Sequence, residues 1–105
     1  MRSNANIAFS GMTLEEIDVI VDSTNIAKIL IHFSKHSDYS IRTSVASNPH
    51  TPAEVLEVLS KDPDWGVRLC VTTNPNTPDE TLETLSKDSH PFVCEGATEK
   101  LYQLF

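Results

Sequence analysis

An internal repeat constrains the fold of this chain more than any other feature of its sequence. Residues 34–59 and 60–85 align without a gap, and 13 of their 26 positions are identical. The Ser-Lys-Asp that opens the second copy returns at residue 86, at the same offset. A fixed period of this length is typical of a solenoid, in which each unit buries its apolar face against its neighbours.

Each copy contains the start and stop signals of two short helices. In the second copy, Asp64 is placed to cap a helix that begins at Trp65, and the Asn-Pro pair that follows ends it. A second helix is predicted with Thr77 as its cap and Pro78 in its first position. Glu80 would complete a capping box with Thr77. The repeating unit is therefore predicted to be a pair of helices joined by turns that contain proline.

The remaining segments fit the ends of a capped array, because terminal repeats are atypical. We expect one repeat domain over residues 1–105. Residues 1–33 would be an N-terminal cap with a degenerate unit, and residues 86–105 a degenerate C-terminal cap. Helices as short as these are marginal in water, so stacking between units must stabilise them.

The motifs of residues 62–85 resemble the leucine-rich repeat variant family. A repeat of that family opens with Asp-Pro-Asp and an aromatic residue, continues with a Val-Arg step and an Asn-Pro turn, and ends in a Thr-Pro helix with spaced leucines. Residues 62–85 carry every part of this pattern, and residues 36–59 carry most of it. HEAT-type helical repeats are a neighbouring interpretation of the same period.

The resemblance implies an all-α fold, a short right-handed α-solenoid of about four two-helix repeats without strands. It also implies alternating α- and 3₁₀-helices and no enzymatic activity. Some members of the family hold an iron–sulfur cluster in a cysteine-rich N-terminal segment. This chain has no cysteine before Cys70, so we expect no cofactor.

The charge of the chain disfavours two classes of partner. Eight Lys and Arg residues against 15 Asp and Glu residues give a net charge of −7. Nucleic acids and anionic membranes are bound through Lys and Arg, so neither is expected as a partner. The N-terminus lacks the apolar run of a signal peptide, and no segment is long and apolar enough to span a membrane. We expect a cytoplasmic protein.

Arg42 and Arg68 occupy the same position in the two copies, and the column ends at Cys94 in the third. Stacked arginines could bind a carboxylate or phosphate of a ligand. We favour the alternative, in which each pairs with an aspartate, because a buried Arg needs a fixed partner. The candidate aspartates are Asp38, Asp64 or one in the next unit.

Tyr39 and Trp65 form an aromatic column at equivalent positions. Aromatic side chains dominate many protein interfaces, so this column could contact a partner. The favoured alternative is that each ring packs beneath the proline-containing turn between units. Together with the two arginines, these rings are the candidate partner-binding residues: Tyr39, Arg42, Trp65 and Arg68.

The second helices carry glutamates at matched positions, which are Glu54, Glu57, Glu80 and Glu83. Lys61 follows Glu57 by four residues, and the same spacing recurs one repeat later, so helical ion pairs are expected. A solvated acidic face is the favoured interpretation, and a surface for a basic partner is the alternative.

No residue pattern indicates catalysis or a metal centre. His32 and His36 have a spacing that suits metal binding on a helix, but the glutamate of a metalloprotease motif is missing. Cys70 aligns with Ser44 and is expected to be a small core residue. A disulfide or nucleophile built from Cys70 and Cys94 is not expected.

The sequence therefore predicts a non-enzymatic protein-interaction module that binds a protein partner on a surface built by its repeats. One alternative is a homodimeric scaffold protein that associates through its apolar C-terminal segment, residues 101–105. A second is a helical repeat that binds nucleic acid, which the charge of −7 disfavours.

Overall fold

The computed structural model of the chain describes residues 9–103, and this part contains seven α-helices and no strand. The all-α prediction is confirmed. In chain order the helices are α1 (Leu14–Ser23), α2 (Ala27–Phe33), α3 (Tyr39–Ser47), α4 (Ala53–Leu59), α5 (Trp65–Thr73), α6 (Asp79–Leu85) and α7 (Pro91–Gln103).

The helices form two layers. Helices α1, α3, α5 and α7 have nine to 13 residues and stack on one another in that order. Helices α2, α4 and α6 have seven residues each, and each packs against the long helix of its own unit and that of the next. We call these sets the long-helix layer and the short-helix layer. The molecule measures 45 × 24 × 21 Å, as expected when units are added along one axis.

The core is built from four columns of apolar residues spaced by the repeat. Because every member is at most 2% exposed, the same four positions bury their side chains in successive units. Burying one such side chain contributes about 1.5–3 kcal/mol to stability. The columns are 30, 56 and 82 (all Leu); Phe33, Leu59 and Leu85; Ile41, Val67 and Val93; and Val45, Val71 and Ala97.

The long helices begin at the caps that the sequence predicts. Asp64 Oδ1 accepts hydrogen bonds from the backbone N–H groups of Gly66 (2.8 Å) and Val67 (3.2 Å), so α5 starts at Trp65 as expected. At the start of α1, Thr13 and Glu16 form the reciprocal bonds of a capping box. Each cap satisfies backbone donors that would otherwise lack a partner.

The short helices α4 and α6 begin differently from the prediction. Their N-caps are Pro52 and Pro78, with ψ of 149° and 150°, and no side chain caps either helix. The hydroxyl of Thr77 instead donates to the carbonyl of Val71 at 2.6 Å, and Thr51 makes the same bond one repeat earlier. The predicted capping box at Thr77 is therefore wrong, because this threonine donates to a carbonyl near the end of the preceding long helix.

The asparagines of the two Asn-Pro turns connect neighbouring units. The side-chain amide of Asn48 donates to the carbonyls of Val21 (2.7 Å) and Thr24 (2.8 Å). Asn74 does the same one unit later, to the carbonyls of Ala46 (2.7 Å) and Asn48 (2.9 Å). Because both asparagines are 2% exposed, these bonds satisfy buried backbone groups that water cannot reach.

Both helices of each unit are α-helical over residues 9–103, so the implied alternation of α- and 3₁₀-helices is not seen there. Hydrogen bonds of the 3₁₀ type occur at helix ends, such as Lys61 N to Val58 O at 3.1 Å. The described residues contain three helix pairs followed by α7. The predicted unit boundaries stay a prediction, and residues 1–8 and 104–105 of the two predicted caps lie outside the described part.

None of the helices within residues 9–103 combines the length and the apolar character needed to cross a lipid bilayer.

Candidate partner-binding surface

Arg42 is held by the unit that follows it. Its Nε donates to Asp62 Oδ2 at 2.7 Å and its Nη2 to Asp62 Oδ1 at 3.1 Å. The remaining nitrogen, Nη1, donates to the carbonyls of His36 (2.8 Å) and Ser37 (3.0 Å). The side chains of Arg42 and Asp62 are 15% and 6% exposed. A bidentate, largely desolvated pair of this kind fixes geometry as well as charge.

Arg68 repeats the arrangement one unit later. Its Nε donates to Asp88 Oδ2 at 2.8 Å, its Nη2 to Asp88 Oδ1 at 3.2 Å, and its Nη1 to the carbonyl of Asp62 at 2.7 Å. Pairing of the arginines with aspartates is thus observed, but the partners come from the next unit and are not Asp38 or Asp64. At the third position of the column, Cys94 Sγ donates to the carbonyl of Ser86 at 3.0 Å.

These contacts favour the charged forms of Arg42 and Asp88. The hydrogen bond from Arg42 to Asp62 raises the pKa of the Arg42 guanidinium above its ordinary value, although burial acts in the opposite direction. Burial disfavours the charged form of Asp88, but hydrogen bonds from Arg68 and from the His90 N–H outweigh it and lower the pKa of Asp88. The arginines are therefore engaged within the repeat.

The aromatic column lies at the surface. The Trp65 indole stacks on the His90 ring of the next unit, with centroids 4.0 Å apart and planes 9° apart. The centroid of the Phe92 ring lies 5.8 Å from the centroid of the same indole. Trp65 is still 41% exposed, and Tyr39 is 60% exposed. Both rings therefore remain exposed, whereas the favoured prediction placed them beneath the proline-containing turn between units.

The exposed rings belong to a longer row at the starts of the long helices. Leu14, Tyr39 and Trp65 are the first residues of α1, α3 and α5, and Phe92 is the second of α7. Hydrogen bonds of Asn48 and Asn74 join the ends of α1, α3 and α5, and the Trp65–Phe92 contact joins the starts of α5 and α7. The long helices therefore run in the same direction, with their starts on one side of the layer. Leu14 and Phe92 are 46% and 59% exposed. We call this row the apolar edge; its members are Leu14, Tyr39, Trp65 and Phe92.

Sequence reasoning missed two members of the apolar edge, although a signal was present. Leu14 directly follows the capping residue Thr13, as Tyr39 and Trp65 follow their capping aspartates. Phe92 stands one position late because Pro91 occupies the first position of α7. Comparing positions relative to the cap would have identified Leu14 but not Phe92.

Both layers are acidic. The long helices contain six acidic and three basic residues, a net charge of −3, and the short helices contain five acidic residues and one basic residue, a net charge of −4. The turns that join each short helix to the next long helix hold both signs of charge: Lys35, Lys61 and Lys87 beside Asp38, Asp62, Asp64 and Asp88. Residues 9–103 together carry −8, and Arg2 outside them brings the chain to −7.

Two grooves open between neighbouring short helices, and they use equivalent positions. The groove between α2 and α4 and the groove between α4 and α6 are each lined by seven residues, which match one to one at the repeat offset. Four positions keep the same residue type: Ser, Lys, Pro and Glu. The other three change from apolar to polar, and the pairs are Ile31 and Glu57, Val55 and Thr81, and Val58 and Thr84.

The predicted helical ion pairs of the short-helix layer do not form. Between residues 9 and 103 the ion pairs within 4.0 Å are Arg42–Asp62 and Arg68–Asp88. Lys61 lies beyond the end of α4 at Leu59, so it does not share a helical face with Glu57. The matched glutamates are exposed.

The histidines and cysteines have structural contacts. His36 Nδ1 accepts a hydrogen bond from the Asp38 N–H at 2.9 Å, and the ring of His32 lies 4.8 Å from that of Phe33. No group of three potential metal ligands occurs within residues 9–103. Cys70 is half-buried against the core, which agrees with its expected packing role.

A comparison with protein families supports the interpretation drawn from the repeat. The model of the leucine rich repeat variant family matches residues 39–64, which span α3, α4 and the turn up to the cap of α5. No curated protein and no solved structure matches the chain. Residues 39–64 are therefore similar to a repeat of the leucine rich repeat variant family, a family of helical repeats.

Proposed function

We propose that this chain is a non-enzymatic protein-interaction module whose partner binds along the apolar edge. Helical repeats of the matched family are generally modules of protein interaction. The observation that carries the proposal is the exposure of a large apolar side chain at the start of each long helix. The rings of Trp65 and Phe92, with centroids 5.8 Å apart, form a contiguous part of this row, and contiguous exposed apolar surface is typical of interaction sites.

The contacts around Trp65 support a central role for this side chain. Stacking on His90 holds the indole in place before a partner arrives, so binding loses little side-chain entropy. Tryptophan and tyrosine are also enriched among the residues that dominate interface energies. In this proposal the partner covers Trp65 and Phe92 first and extends towards Tyr39 and Leu14.

Arg42 and Arg68 have a positioning role in this proposal. Three nitrogens of each guanidinium already donate within the repeat, and the side chains are 15% and 16% exposed. Their contribution is to fix the angle between successive long helices, which sets the spacing of the rings. Direct contact of these arginines with a partner stays a prediction.

Affinity capture with matched variants tests the proposal. The double variant Trp65→Ala/Phe92→Ala removes two exposed rings from the apolar edge. The control Ile31→Ala/Val58→Ala removes side chains that are 42% and 67% exposed on the short-helix layer. We expect the control to retain the proteins that the wild type captures from a native lysate, and the edge variant to lose them. Equal capture by all three proteins would contradict the proposal.

Self-association is a second candidate, favoured by the exposure of Tyr102 near the end of α7. This side chain is 75% exposed, and Leu101 beside it is half-buried. Light scattering after size exclusion distinguishes the two functions, since a monomer at high micromolar concentration removes the homodimer. A helical repeat that binds nucleic acid remains disfavoured, because the net charge of −7 repels phosphate.

We also propose a cytoplasmic location. Cys70 and Cys94 are both free thiols and half-buried, which suits a reducing compartment. Fractionation of the native cells, with detection of the chain by a specific antibody, tests this location.

A further inference from the structure

We propose that the segment docking on the apolar edge is basic, with Lys or Arg side chains interspersed among apolar ones. This inference rests on the proposed function and adds the chemistry of the partner. The apolar edge alone would accept any apolar segment. The charges around it select among such segments.

Carboxylates accompany the apolar edge along its length. Glu15 follows Leu14, Asp38 precedes Tyr39, Asp64 precedes Trp65, and Glu95 lies one helical turn after Phe92. None of these four carboxylates is in an ion pair within residues 9–103. A segment that covers the row therefore meets negative charge at every unit, and complementary charge on the partner stabilises the complex.

The basic residues of the same layer do not offset this charge at the edge. Arg42 and Arg68 are paired with Asp62 and Asp88, so neither presents an unpaired cation. Lys100 lies in the last turn of α7, far along the helix from Phe92. The long helices thus place no unpaired cation at the edge, and the nearest lysines along the chain, Lys35, Lys61 and Lys87, lie in the turns before α3, α5 and α7.

The rings add a second attraction for cations. Trp65 is 41% exposed while His90 stacks on the indole, so part of the ring system remains open to a partner. A guanidinium or ammonium group over a tryptophan ring is attracted by its negative face. Arginine suits this position best, because its planar group stacks and also donates to nearby carboxylates.

The short-helix layer carries charge of both signs around its grooves. Lys35 and Glu54 line one groove, and Lys61, Glu57 and Glu80 line the other. Its helices carry a net charge of −4. Its exposed glutamates can therefore serve as a control that removes equal charge from the other side of the protein.

Selection from a random peptide library tests the inference without a known partner. The full chain is immobilised, and the peptides it enriches are sequenced. We expect enrichment of Lys and Arg together with apolar residues, and depletion of Asp and Glu. Binding of the enriched peptides is then measured by fluorescence anisotropy against two triple variants.

The edge variant is Asp38→Asn/Asp64→Asn/Glu95→Gln, and the control is Glu54→Gln/Glu57→Gln/Glu83→Gln. Asparagine caps a helix as well as aspartate does, so the edge variant should fold. Both variants remove three negative charges. We expect the edge variant to bind about tenfold more weakly and the control less than about twofold more weakly. Should the edge variant unfold, raising the salt concentration gives a second test, and wild-type affinity must fall.

The remaining outcomes separate the two proposals. Enriched peptides without basic residues, whose binding still depends on Trp65 and Phe92, would overturn the basic partner and leave the apolar edge as the binding site. Peptides whose binding is unchanged by Trp65→Ala/Phe92→Ala would overturn both proposals. If no peptide is enriched over the bare support, docking of a short basic segment is overturned.

Discussion

At the scale of single residues, one aspartate links two arginines of successive units. The carboxylate of Asp62 accepts from Arg42, and its backbone carbonyl accepts from Arg68. The sequence could predict that the arginines pair with acids, because a largely buried guanidinium needs partners. It could not select the partner, since Asp62 and Asp64 flank one proline and only the packed turn decides which carboxylate faces the arginine.

Removing Arg68 should destabilise the repeat strongly. Arg68→Ala leaves Asp88, whose side chain is 12% exposed, without its partner, and we expect a loss of about 3 kcal/mol in the free energy of unfolding. Arg68→Lys keeps the charge but not the paired hydrogen bonds and should lose less. Urea denaturation followed by circular dichroism measures both.

The matched control for that experiment is Lys87→Ala, an exposed basic residue next to Asp88 in the chain. It should change the free energy of unfolding by less than about 0.5 kcal/mol. A loss for Arg68→Ala as small as that of the control would show that the ion pair does not stabilise the stack.

At the scale of helices, local signals predicted the starts of the long helices and failed at the short ones. Asp64 caps α5 through bonds to residues two and three positions later, so the sequence carries the whole motif. Thr77 precedes a proline and a glutamate as a capping threonine does, yet its hydroxyl is used by the carbonyl of Val71. This choice depends on the packing of the turn against the preceding helix, which a local pattern does not contain.

Substitution of Thr77 distinguishes the two roles of this side chain. Thr77→Val keeps the shape and removes one of the two donors to the Val71 carbonyl, which retains the Asn74 N–H, so we expect a loss of about 1 kcal/mol in the free energy of unfolding. In the observed structure Glu80 takes no part in a cap, and Glu80→Ala should change stability by less than about 0.5 kcal/mol. Chemical denaturation of both variants is the measurement. A larger cost for Glu80→Ala than for Thr77→Val would restore the capping box.

At the scale of the whole molecule, the repeat specifies the stack, and the stack creates the surface. The core columns follow from the repeat offset, which is why the all-α solenoid could be predicted from the sequence. The apolar edge could be predicted only in part. Tyr39 and Trp65 share the offset, whereas α1 is one residue longer than α3 and Pro91 shifts Phe92 by one position.

Site-specific photo-cross-linking tests the central claim, that partners bind at the apolar edge. Benzoylphenylalanine is introduced in place of Phe92 in one protein and in place of Val58 in another, two side chains that are 59% and 67% exposed on opposite layers. Both proteins are illuminated in native lysate, and adducts are resolved by mass. We predict light-dependent adducts with a protein partner at position 92 and none at position 58. Adducts at position 58 alone, or equal adducts at both positions, would contradict the claim.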